Sequence, residues 1–463
     1  MKLLRNLRNF SFLFVGLILV TSCNDDDEII EFVPTASIVE LAQATPQLSS
    51  LVSALVKYPD LVDLLSNTGT FTVFAPDNDA FEALRIAVGQ ETIDDIPEDV
   101  LKNVLQYHVY TTAALPAISV TTGTITMANG EDADVVADAN GVFIANAQVT
   151  QVDGLATNGV VHIIDSVMVP PSILPIVGTI VAPAYFNKNF TTLIAAVEAA
   201  NTDILSLLLG NGPSDNGLTL FAPTNAAFEA AGVTDVNGAD AVLAYHVIDG
   251  TIMSDMLPVT TGTSDEVETL GGDIYITNAG DDVSINGTTT VTATNITGSN
   301  GVVHVIDRTL LPPTQTINEI VAGFAGGDPA EFTLLAAALS RANLADFFAS
   351  ADDSYTVFAP TDAAFLAAGL DEAAINATDP AAVAGILTHH VVDGAYAFST
   401  DLTQDAMIGM LNGQNVTIDL ANLAVQDAAG TTPAAGLIAS LLNVHATNGV
   451  VHVIDAVLLP SSN

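Results

Sequence analysis

The stretch Phe71-Thr72-Val73-Phe74-Ala75-Pro76-Asp77-Asn78-Asp79-Ala80-Phe81 decides the reading of this chain, because it occurs three times. It returns as Leu218 to Phe228 and again as Tyr355 to Phe365. Each time a β-prone run stops at Ala-Pro, since proline has no N–H to continue a ladder and pushes its predecessor away from α. Asp77, Thr224 and Thr361 then stand where a helix N-cap belongs, ahead of Phe81, Phe228 and Phe365. The predicted order is strand, turn, helix.

A second block closes each copy. Asn158-Gly159-Val160-Val161-His162-Ile163-Ile164-Asp165 is repeated at Asn300 to Asp307 and at Asn448 to Asp455. Asn-Gly signals a tight turn, and the apolar run after it reads as a strand buried on both faces. It ends at Pro170-Pro171, Pro312-Pro313 and Pro460. Between the blocks lies Tyr107-His108-Val109, repeated as Tyr245-His246-Val247 and altered to His389-His390-Val391. Upstream of each first block, apolar residues recur at helical spacing: Leu48, Leu51, Val52, Leu55 and Val56, then Leu193, Ile194 and Val197, then Leu334, Leu335, Ala338 and Leu339. Thr, Val and Gly dominate the later part of each copy, as in Thr121 to Met127 and Asp273 to Thr297, which is sheet composition. A period of about 140 residues makes these whole domains and not solenoid modules, and helices followed by strands make each an α+β domain.

The composition narrows the function. Of 463 residues, 53 are Asp or Glu and only nine are Lys or Arg. Three of the nine (Lys2, Arg5, Arg8) precede Cys23, so the negative charge falls on the chain beyond that cysteine. Such a field repels phosphate backbones and excludes a nucleic-acid role. Hydrophobic residues make up 49% and charged residues 13%, which is the composition of a folded chain. The single cysteine, Cys23, rules out an internal disulfide and a Cys-based metal site.

Cys23 belongs to the N-terminal address. Met1 to Arg8 is basic, Phe10 to Val20 is a short apolar run, and Val20-Thr21-Ser22 leads into the cysteine. This is a secretory signal too short for a comfortable membrane span. Its end resembles a bacterial lipobox, which implies that Cys23 is lipidated and becomes the mature N-terminus. Asn24-Asp25-Asp26-Asp27-Glu28 comes next, read either as a solvated tether or as an acidic run that marks export to the outer face. The expected organisation is a lipoprotein signal at 1–23, an acidic tether at 24–35 and three domains at 36–171, 172–313 and 314–463. The junctions at Ser172 to Gly178 and Thr314 to Asn318 are short, so restricted motion between domains is expected.

The two blocks and the central Tyr-His resemble those of the fasciclin family, over about residues 36 to 461. The resemblance implies three tandem fasciclin-like α+β domains, each a β-sandwich wedge with several helices. It implies an extracellular adhesion or interaction role without enzymatic activity. It also implies a candidate contact surface at Tyr107, His108, Tyr245 and His246, which the third copy breaks with His389 in place of Tyr. The third copy departs again in an Ala/Gly/Leu-rich insertion over Asp427 to Leu442.

Other candidate residues give no catalytic or metal chemistry. His162, His304 and His452 sit within apolar strands and read as structural core histidines, together with Asp165, Asp307 and Asp455 of the same motif. His389, His390 and His445 do not make a metal site, because adjacent histidines on a strand point to opposite sides. The chain carries no Gly-x-Ser-x-Gly elbow, His-Glu-x-x-His, P-loop or dinucleotide fingerprint, and Gly323 to Gly327 reads as a loop. No cofactor is expected, and no Asp-x-Asp-x-Asp-Gly calcium loop is present, so cation binding is diffuse. The expected function is that of a lipid-anchored surface protein on the bacterial outer membrane, binding extracellular or cell-surface proteins or copies of itself. Polysaccharide capture is the alternative, weakened by the absence of Trp and the presence of only eight Tyr. An envelope hydrolase of unrecognised geometry ranks last.

Overall fold

The computed structural model describes residues 33–200, 202–236, 238–257, 264–278, 282–327, 330–350, 353–427 and 434–461. The signal segment, Cys23 and the acidic run at 24–28 lie outside the described residues, as does the centre of the third copy's insertion. The chain divides into two compact units, one of residues up to Ile194 with Ile296–Asn300, the other of Ala195–Asn295 with Gly301–Asn463.

The repeated blocks form the middle of each sheet. Phe71–Pro76 and Gly159–Ile164 run side by side in parallel, with Phe71 opposite Gly159 and Pro76 opposite Ile164. The same register joins Leu218–Pro223 to Gly301–Ile306 and Tyr355–Pro360 to Gly449–Ile454. Nearly every residue of these strands is buried, as expected of strands covered on both faces. The glycine after each asparagine is required by close approach. A Cβ at Gly159, Gly301 or Gly449 would overlap the carbonyl oxygen of Phe71, Leu218 or Tyr355.

In the first repeat the sheet has seven strands, in the order Val109–Tyr110, Phe71–Pro76, Gly159–Ile164, Ala147–Ala156, Gly141–Ile144, Asp132–Asp138 and Gly123–Thr126. Ala147–Ala156 carries two register shifts against its neighbour, between Val149 and Gln151 and between Gln151 and Gly154. Bulges of this kind bend a strand sharply, so one ladder wraps around its own core as the two faces of a sandwich. The second repeat has the same seven-strand order. In the third, the insertion interrupts the bent strand and leaves Ala435–Gly436 on one four-stranded sheet and Val444–Ala446 on another.

Helices cover the parallel pair. Asp77, Thr224 and Thr361 each cap a helix by accepting the N–H of Ala80, Ala227 or Ala364, and Phe81, Phe228 and Phe365 on those helices are buried. In the third repeat Ile317–Ala325, Thr333–Arg341 and Pro380–Thr388 pack Ile320, Leu335, Leu339 and Leu387 against Val357 and Val451 of the strands. Gly323 to Ala325, expected in a loop, instead form the last turn of the helix that ends at Gly326. The capping box of Thr316 and Glu319 starts that helix early enough for it to run through Gly323. Among the described residues no helix is long and apolar enough to cross a membrane.

Candidate interaction surface

The residues that announce the family resemblance are consumed by the framework. His108 follows the helix Glu98–Gln106 and is 2% exposed. The backbone N–H of Met168 donates to its Nε2 at 2.8 Å, so Nε2 is bare and Nδ1 carries the proton it donates to Val104 O at 2.7 Å. His246 repeats the latch between Leu310 N and Val242 O, and His390 repeats it between Leu458 N and Ile386 O. Burial pushes each of these three imidazoles down to about 4. The latch ties the end of a helix to the segment leaving the closing strand.

His162, His304 and His452 hold the opposite tautomer. Their Nε2 atoms donate to Leu115 O at 2.8 Å, Ile252 O at 2.9 Å and Ala397 O at 2.8 Å. Each ring packs on a first-block phenylalanine, Phe74, Phe221 or Phe358, at centroid distances of 5.6 to 5.7 Å. Burial again lowers all three pKa values, that of His452 to about 4. Asp165, Asp307 and Asp455 accept the N–H of Gln148, Thr290 and Gly436 beside the strand end. Asn158 and Asn448 reach into the helical layer, accepting from Ile38 N and Ile317 N and donating to carbonyls of Leu65, Asn67, Phe348 and Ser350.

The candidate contact surface at the Tyr-His positions needs correction. Tyr107 and Tyr245 are 1% and 0% exposed, their hydroxyls donate to Asp132 O and Asp273 O, and His108 and His246 are equally enclosed. The helix end turns all four side chains inward, so they position the fold and do not present a surface. His389 and His390 lie at the end of the helix Pro380–Thr388 and not on a strand, and His389 Nδ1 pairs with Asn412. Among the described residues no group of three His, Cys, Asp or Glu is placed to hold a metal ion. Five of the eight tyrosines are buried and Tyr110, Tyr185 and Tyr396 are half-buried, a poor supply of faces for stacking on a sugar ring.

What remains as a site is a joint made of residues that the three copies do not share. Within the second compact unit, Tyr275 of the second repeat stacks on Tyr396 of the third at 4.5 Å and 17°. Phe398 lies 5.6 Å from Tyr275, and the His445 ring presents its edge to all three aromatics at 5.5 to 6.0 Å. Around this cluster, Ser264 and Thr277 donate their hydroxyls to the Asp401 carboxylate at 2.6 and 3.0 Å, Thr277 and Thr400 share a hydrogen bond, and Asn443 Nδ2 donates to Gly287 O. Burial lowers His445 to about 4, so the ring is neutral at ordinary pH. Each aromatic pair contributes about 0.5–1.5 kcal/mol beyond its buried area. Beside the joint an open cleft of roughly 630 Å³ is lined by Leu311, Pro312, Phe324 and His445 among others, with His445 its only titratable side chain. It offers no acid–base pair.

The same turn in the first repeat is uncovered. Counting from the Tyr-His positions, Thr400 of the joint corresponds to Ile118, and counting from the Asn-Gly of the closing block, His445 corresponds to Leu155. Ile118 is 91% exposed, on a turn of Ala117–Ser119, and Leu155 is 40% exposed.

Comparison with known proteins agrees with this reading of the modules. The family model described as Fasciclin domain matches residues 46–170, 188–312 and 330–460. Transforming growth factor-beta-induced protein ig-h3 of Sus scrofa is 26% identical over 462 residues, covering 97% of this chain and 59% of that protein. Human Periostin is 31% identical over 312 residues, 65% of this chain and 34% of Periostin. Immunogenic protein MPB70 of Mycobacterium bovis is 35% identical over 137 residues, 28% of this chain and 67% of MPB70. This chain thus spans about three-fifths of ig-h3 and one-third of Periostin.

Proposed function

Because the chain belongs to the fasciclin-domain family, matched three times in tandem, we propose that it is an exported adhesion protein that works by binding and not by catalysis. The observation that carries this reading is the fate of the motif residues. His108, His162, Asn158, Asp165 and their counterparts in the other repeats are spent on internal hydrogen bonds, and among the described residues they do not converge as acid, base or nucleophile. Three modules on one chain multiply individually weak contacts through effective concentration. The partners are extracellular or cell-surface proteins.

The address extends this proposal to Cys23. Lipidation there, with acyl chains buried at about 0.8 kcal/mol per methylene, holds the mature protein on the outer membrane of a bacterium, and the acidic tether lifts the modules off it. Division of the chain at 36–171, 172–313 and 314–463 follows the Pro-Pro sequences that end the closing blocks. Intact-cell protease shaving of wild type against Cys23→Ala tests the anchor. Digestion of cell-bound wild type together with release of the variant into the medium is expected; equal retention of both overturns it.

A further inference from the structure

We propose that the joint between the second and third repeats is an acid-released coupling, in which protonation of the His445 ring parts the two repeats while each stays folded. Such a coupling goes beyond adhesion, and it stands or falls in solution without reference to cells.

His445 differs from its counterparts and from the other histidines. It lies on the short strand Val444–Ala446 of the third repeat, three residues before Asn448, where the first repeat has Leu155 and the second Thr297. Among the described residues neither of its ring nitrogens has a hydrogen-bond partner, and Nδ1 is fully buried. Each of the other seven histidines holds at least one such bond. Tyr275 of the second repeat packs against the ring, whose centroid is 5.8 and 6.0 Å from two tyrosine rings that are themselves 4.5 Å apart. Nearly equidistant from both, it stands beside the Tyr275–Tyr396 stack and not over a face, so a proton on it draws no attraction from the faces of these two rings.

The titratable and charged groups on the elements packed around it are engaged elsewhere. Asp273 on the strand Gly272–Asn278 and Glu266 on the strand beside it act on Tyr275 and Tyr396. Asp401 accepts from Ser264, Thr277 and the Phe398 N–H, Tyr396 donates to Thr447 O, His452 on the adjoining strand donates to Ala397 O, and Glu319 on the helix Ile317–Ala325 accepts from Thr316. Protonation of His445 in the closed joint would therefore bury a cation and a second N–H with no acceptor, a cost that water relieves once Tyr275 withdraws. Burial is the sole cause that pushes the closed ring down to about 4, and a ring open to water titrates near 6.5. By linkage, acid weakens closure by the same factor by which closure weakens proton binding. Closure is undisturbed above about pH 6.5 and is lost progressively down to about pH 4, about thirtyfold of it between pH 7.5 and pH 5.

Energy transfer tests this in a chain carrying Cys23→Ala and dye-labelled cysteines at the exposed positions Glu268 and Glu372, one on each repeat. Measured through a urea series at pH 7.5 and at pH 5, transfer gives the opening equilibrium, and far-UV circular dichroism on the same samples reports whether the repeats are folded. Opening about thirtyfold more favourable at pH 5, ahead of any loss of ellipticity, is expected. His445→Leu, the residue the first repeat carries there, should bring that ratio below about threefold, while Asp401→Asn, which cannot titrate, should keep it. Imidazole NMR adds a readout that does not depend on opening: the His445 midpoint should rise from about 4 toward 6.5 in Tyr275→Ala. Equal opening at the two pH values, a ratio that survives His445→Leu, parting of the repeats only together with loss of ellipticity, or a midpoint unmoved by Tyr275→Ala overturns the proposal. Any of these results leaves the adhesion reading intact.

Discussion

The histidine latches make stability depend on acid in a way that can be worked out. His108 is neutral in the folded state with its pKa pushed down to about 4, whereas an unfolded histidine titrates near 6.5. Between those values the unfolded chain binds more protons than the folded one, so stability rises with pH. The latch contributes fully above about pH 6.5 and is lost as pH falls through about 4. At about pH 5 the loss is about 2 kcal/mol for His108, with equal losses at His246 and His390. Each falls on a different repeat, so the latch alone should lower the melting temperature of each repeat by about 4–8 °C between pH 7 and pH 5, and the third repeat should lose more because burial also pushes His445 and His452 down to about 4. Geometry gives the cause: protonation at Nε2 would place two N–H donors, that of the ring and that of Met168, against each other inside the core. Imidazole nitrogen NMR reads the titration directly. A midpoint near 4 with the proton on Nδ1 below pH 8 is expected for His108. A midpoint near 6.5 in the folded domain, or a proton on Nε2, would refute the argument.

The same framework gives three further outcomes. Asn448→Ala strips the partner from Ile317 N and from the carbonyls of Phe348 and Ser350, and should cost the third repeat about 2–4 kcal/mol in urea unfolding, with the other repeats unmoved. Gly159→Ala drives a methyl into the Phe71 carbonyl and should cost about 3 kcal/mol or more by the same measurement; a neutral result would mean that the parallel pair is looser than described. Tyr275→Ala together with Asp401→Ala removes the stack and the acceptor of two hydroxyls, so limited proteolysis should cut first between the second and third repeats while each keeps its own melting temperature.

The fold was legible because its decisive residues act locally and recur. Ala-Pro ends a strand, Asp77 or Thr224 caps the next helix, and Asn-Gly sets the turn into the closing strand, wherever the chain places them. The parallel pairing of the two blocks is a contact between segments roughly ninety residues apart, which periodicity does not report. The surface was harder to read for the same reason. The family resemblance implied a contact surface at Tyr107 and His108, yet the helix that precedes them ends one residue earlier and both side chains are buried. Tyr275, Tyr396, Phe398 and His445 carry no repeat signal, because a joint between unlike faces needs each partner only once. Ile118 gave no signal at all: a single aliphatic in a turn is ordinary until its exposure and its counterpart in the joint are known.

Adhesion itself is tested most directly by attachment of cells that display the protein, compared with cells displaying Cys23→Ala and with cells lacking it. The account predicts that wild-type cells attach to surfaces and to one another, and that release of the protein by the substitution abolishes the effect. Attachment that is equal in all three would contradict it.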